Sequence, residues 1–280
     1  MLVLRSLDGE PRKIYSKRNG VIEDQFFPGE TFSLEKRLTR ETFTFESAAN
    51  LWRFAQTDNR VIARNLPKNG SSIFTLKKRT LLNDSLYFLI ADVDSSLNGL
   101  LKDDLRDCVS AFINKAGLPS DLGWVAKWSS SRFLLSGERK ASIHICLLLT
   151  EDITEDQAKH IMASIGADPR MSERGRLLAT MSPTFDEGDL FSDFARYTEI
   201  EYQDGDSLDP KPLLSKAAIN LVNNPADDHI HRIIEGWETS KFFDALKTYF
   251  SNPKENQNQK IHGIGTKDIR SGKSKDDSER

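Results

Sequence analysis

The chain has 280 residues, 38% hydrophobic and 29% charged, a balance that excludes a wholly disordered polypeptide and provides for one large domain or two small ones. Its net charge of −3 excludes a protein that coats nucleic acid by bulk basicity, but not an enzyme that holds a strand through a local groove and metal ions. No apolar run reaches the ~20 residues of a membrane helix, so no membrane partner is expected.

The start, MLVLRSLDGEPRK, has no apolar core of signal-peptide length. The first fifty residues alternate short apolar stretches with Gly, Pro and Asn, the pattern of short strands and turns. Residues 47–57 (SAANLWRFAQT) read as a helix with Ser47 as its cap. The basic stretch 76–82, with Lys77, Lys78 and Arg79, ends in the turn signal NDS and suits either a solvated turn or template phosphates. Residues 86–90 (LYFLI) form an apolar strand that runs into ADVD. A helix is predicted over 100–116, with Leu101, Leu105, Cys108, Phe112 and Ile113 near one face and GLPSD ending it.

Residues 124–128 (WVAKW) alternate as a strand, and Trp124 and Trp128 suit core packing better than base stacking. The polar stretch SSSRFLLSGERK leads to a second apolar strand over 142–149. Thr154 opens a further helix with Glu155 and Asp156 in its first turn, where negative charge favours the helix dipole. Loops and a short strand near 196–202 follow, then helices over 213–222 and 229–250 and a polar tail, 251–280, read as disorder or a linker. His229 and His231 stand two apart in a helical stretch and do not share a face, so they suit a solvated helix end rather than a metal site. The two cysteines, Cys108 and Cys146, lie among apolar residues and suit buried thiols, which points to a reducing cytoplasm.

Chemistry concentrates at Asp92 and Asp94. Residues i and i+2 of a strand point to one side, so both carboxylates project together from the end of an apolar strand. Two like charges so placed repel unless something positive lies between them, and Mg²⁺ or Mn²⁺ is the oxygen-seeking ion that does this. A pair of such ions can activate a 3′-hydroxyl and stabilise a leaving pyrophosphate. The same motif also suits an Asp-rich turn or the nucleotide-sugar site of a glycosyltransferase. Ser142 and His144 share a face of the later strand, with Arg139 and Lys140 just before them and Ser129, Ser130, Ser131 and Arg132 in the connecting turn. Hydroxyls, an imidazole and cations suit triphosphate oxygens. A histidine in an apolar strand is otherwise a hydrogen-bonded core residue.

With LIADVD at residues 89–94 and Ser-Ile-His at 142–144, the chain resembles the archaeo-eukaryotic primase superfamily, particularly its plasmid and phage primase-polymerase branch. The third element of the family, an acid after an apolar residue, is matched by Phe185 and Asp186, with Glu187 and Asp189 as alternatives. The resemblance covers roughly residues 50–210. The elements above give an α+β fold with a helical C-terminal extension, and the resemblance implies an RNA-recognition-like catalytic sheet joined to an N-terminal αβ unit; the catalytic domain is expected over 1–250, with its motifs in 86–210 and the extension over 211–250. The resemblance also implies that Asp92, Asp94 and Asp186 hold two Mg²⁺ or Mn²⁺ ions and that Ser142 and His144 contact a nucleoside triphosphate, to which charge and position add Arg139 and Lys140. The expected activity is primer synthesis on single-stranded DNA for plasmid or phage replication, with a replicative helicase as a further partner. A replication initiator with a degenerate acidic site and a DxD glycosyltransferase are the competing readings.

Overall fold

The structure, a computed structural model, describes residues 1–9, 12–18, 21–27, 30–56, 59–64, 70–75, 81, 85–93, 104–129, 142–180, 184–185 and 199–215, with backbone alone for 12–18, 21–27 and 184–185. The segments expected to alternate short strands and turns form β1 (Leu2–Ser6), β2 (Arg12–Arg18), β3 (Val21–Phe27) and β4 (Thr31–Arg37). With β5 (Arg60–Ala63) and β6 (Ile73–Thr75), they make an antiparallel sheet in the order β5-β1-β4-β6, while β2 and β3 pair separately. Both faces of β1 are buried. Leu2 and Leu4 pack with Phe32, Val61 and Phe74, whereas Val3 turns to the larger core.

A second four-stranded sheet carries the motifs. It is built of β7 (Leu86–Val93), β8 (Trp124–Trp128), β9 (Ile143–Ile153) and β11 (Ile200–Gln203), all antiparallel in the order β11-β8-β9-β7. The chain is thus a mixture of α and β with largely antiparallel sheets. Strands lie in three separate sheets rather than one, because β10 (Thr184–Phe185) joins β2 and β3 in a third.

Local chemistry fixes the helix ends. α1 (Phe45–Ala55) begins two residues before the expected start: Thr44, not Ser47, is the cap, and Ser47 is its partner in a reciprocal capping box. α2 (Leu105–Ala116) is capped by Asp104 and closed by Gly117, whose φ of 66° is the left-handed conformation that glycine adopts without strain. The earlier part of that predicted helix lies outside the described residues. α3 (Glu155–Ser164) starts after Thr154, as its sequence signal requires, with Thr154 and Gln157 forming a second capping box.

Apolar faces of these helices close on the motif sheet. In α2, Arg106 lies 5.3 Å over the ring of Trp124 and reaches Glu201 of β11, so α2 covers the face bearing Trp124, Ala126 and Trp128. α1 docks by Phe45 at Gly123, where a Cβ would stand 2.1 Å from a ring carbon; the missing side chain is what admits the helix. One continuous core joins Val3, Trp52, Ile62, Ala91, Phe112, Trp128, Ile145 and Met162, and therefore the motif sheet, strands β1 and β5, and α1, α2 and α3. Trp124 and Trp128 are buried within it. Residues 211–215 are helical, where a helix over 213–222 was expected. The remainder of that helix, the predicted helix over 229–250 with His229 and His231, the basic residues Lys77 to Arg79 and the tail lie outside the described residues.

Candidate active site

The register of the motif sheet brings three chemically active residues into one row. Asp92 of β7 stands directly opposite His144 of β9, and His144 stands opposite Lys127 of β8. Opposed residues of neighbouring strands share a face, and Ser142, two residues before His144, lies on that face too. His144 Nε2 is 3.4 Å from Asp92 Oδ1, an ion-pair distance when the imidazole is protonated. His144 is buried, and its Nδ1 has no hydrogen-bond partner among the described residues.

This face is opposite the one α2 covers. Cys146 also lies on it, and the Met1 amino group and the Cys146 thiol act electrostatically on each other, so the row looks toward the N-terminal sheet. Burial pushes the Cys146 thiol up to about 12, which makes it a packing residue rather than a nucleophile.

A strap formed by residues 168–180 borders the row from end to end. Its backbone begins at Asp92, whose carbonyl accepts a 3.0 Å bond from the Asp168 N–H. It pairs with β5 through two bonds between Leu178 and Ile62, and Lys127 Nζ donates to Ala179 O at 3.2 Å. Thr180 then donates to the carbonyl of Ala55, closing the strap on α1.

Two members of this site escaped the sequence reading. Lys127 lies on the face opposite the flanking tryptophans, yet it is 2% exposed, and its Nζ is bonded to the strap at Ala179 O. Asp168 follows Ala167 and so offers an acid after an apolar residue, the same signal that drew attention to Phe185 and Asp186. Burial raises the Asp168 carboxyl, but the hydrogen bonds and charge of Arg170 outweigh it and hold the group below the usual range; the Asp92 charge opposes this. The two carboxylates therefore sense each other.

Of the residues singled out from the sequence, Asp92, Ser142 and His144 come together on one sheet face. Asp94, Arg139, Lys140, Asp186, Glu187 and Asp189 lie outside the described residues. Phe185, next to Asp186, pairs with Tyr15 in the third sheet. Among the described residues no three His, Cys, Asp or Glu side chains are grouped to hold a metal ion. The Asp168 carboxylate is engaged by Arg170, and its backbone N–H is bonded to Asp92 O. Among those residues, no helix is long and apolar enough to cross a membrane.

No protein-family model matches the chain, and no curated protein matches it. Among solved structures it is similar to the AEP domain (PP-N190) of the primase-polymerase (PrimPol) of cyanophage S-2L, at 14% identity, over 76% of this chain and 87% of that one, with a TM-score of 0.34.

Proposed function

We propose that the chain is a metal-dependent nucleotidyltransferase of the primase-polymerase type, which makes short primers on single-stranded DNA. The observation that carries this reading is the cross-strand pair of Asp92 and His144 on one buried sheet face. A carboxylate beside an imidazole and a serine, with a lysine next in the row, sets a metal-binding edge against a phosphate-binding edge.

Asp92, Asp94 and a third acid would hold divalent ions, and those ions would supply positive charge at the attacking 3′-hydroxyl and the leaving pyrophosphate. Asp168 is the third acid we favour over Asp186, because its backbone is bonded to that of Asp92. The protein groups do the rest. Ser142 and His144 donate hydrogen bonds to the triphosphate, and Arg139 and Lys140 add charge beside them. Lys127 offsets the negative charge that gathers on this face. Burial on the strap side lowers the local dielectric and strengthens each of these contacts.

Asp92→Ala should fold and lose primer formation by at least about a hundredfold, measured with single-stranded DNA, labelled nucleotides and Mn²⁺. Asp168→Ala and Asp186→Ala, run in parallel, identify the third acid. Wild-type rates from Asp92→Ala would sink the site. Tight DNA binding by the wild-type chain with no product under any metal would point instead to an initiator or DNA-binding module.

A further inference from the structure

Away from the acidic row, where the strap bends past the start of α3, one carboxylate gathers three cations. Glu155 accepts from Lys159 Nζ at 2.8 Å and from the backbone N–H and Nε of Arg174 at 3.2 Å each, and it lies 3.7 Å from Arg64 Nη2. Glu173 adds a second negative charge nearby, so the cluster keeps a cationic excess.

Arg64 is the unusual member. It follows β5 directly, and its side chain is 7% exposed. Its Nε and Nη2 are buried without a hydrogen-bond partner among the described residues, and 3.7 Å to a carboxylate already engaged by three other donors is beyond hydrogen-bond reach. Burial pulls the Arg64 guanidinium down to about 10 against the opposing charge of Glu155. Keeping a guanidinium out of water with its donors unused is costly, and removing that cost takes an acceptor with more than one oxygen.

We infer that Arg64, Arg174 and Lys159 form a phosphate-binding site, distinct from the Asp92 row, that takes the phosphate group of a nucleotide or of a nucleic-acid strand. The fork of Arg64 matches two phosphate oxygens, and Arg174, 31% exposed, is held on the same Glu155 carboxylate. The strap that carries Arg174 also borders Asp92 and Lys127, so a phosphate held here would steady the segment that frames the row.

The test follows thermal unfolding of the full chain in inorganic phosphate against chloride at matched ionic strength and without divalent metal. Phosphate should raise the midpoint above chloride for the wild type, and Arg64→Gln should lower that excess, leaving only the part that the Ser142 and His144 edge contributes. Arg174→Gln, at a more exposed position, should reduce it and keeps the test alive if Arg64→Gln does not fold. Metal-free binding of a nucleoside triphosphate and of a short single-stranded oligonucleotide then identifies the source, with about a tenfold loss expected for whichever probe supplies the phosphate. No excess in the wild type, or an excess unchanged in both variants, overturns the proposal. Because no turnover is read, Asp92→Ala should retain the phosphate response, which separates failure of this site from failure of the nucleotidyl-transfer reading.

Discussion

Lys127 is a lysine at the centre of a sheet, 2% exposed, in line with a histidine and an aspartate. A buried ammonium is tolerated only where acceptors and opposite charge surround it, and one of its acceptors is Ala179 O on the strap. If its role is to offset charge in the site, Lys127→Met should leave a folded protein, since an apolar side chain of similar length replaces a costly buried charge. The proposed primer synthesis should then fall by about tenfold or more, with KM for nucleotide raised, while the melting temperature moves little. A purely structural lysine would give the reverse, a destabilised protein whose surviving fraction keeps its turnover and KM. The pair of measurements, unfolding midpoint and KM against kcat, decides between them.

At the scale of elements, Glu155 is the joint between α3, the strap and the end of β5. Burial raises its carboxyl, but the hydrogen bond and charge of Lys159, the charge of Arg64 and the Arg174 N–H outweigh that and hold the group below the ordinary glutamate range. Because the folded value lies below the unfolded one, the folded state binds fewer protons here. The stabilisation is complete above the unfolded value and is lost as pH falls through the folded one. Chemical unfolding as a function of pH should therefore show the wild type losing stability on the acid side of the glutamate range. Glu155→Gln should be less stable near neutrality and should lose less on acidification. A variant whose pH dependence there equals that of the wild type would remove Glu155 from this role.

At the scale of the molecule, the larger core reaches from the motif sheet and α1, α2 and α3 into β1 and β5, which ties the N-terminal sheet to the motif sheet although a second cluster fills the other face of β1. Calorimetry should show a single cooperative transition with matching calorimetric and van't Hoff enthalpies; two resolved transitions would mean that the sheets fold apart. What the sequence determined by itself is what local rules govern. Apolar runs of strand length marked β7, β8 and β9; Thr154 and the acids after it marked α3; and the two-residue period put Ser142 and His144 on one side of a strand. Small errors fell at element ends, as at Thr44 and Ser47, where two hydroxyls both take part in the cap. Tertiary structure decided the rest. Nothing in the period of a strand says which strand lies beside it, so the opposition of Asp92 to His144 and of His144 to Lys127 comes from register. Likewise the bond from Lys127 to Ala179 O and that from the Asp168 N–H to Asp92 O depend on a strap more than a hundred residues downstream of β5, and the pairing of Arg64 with Glu155 depends on the distant start of α3; such long-range contacts leave no local period to read.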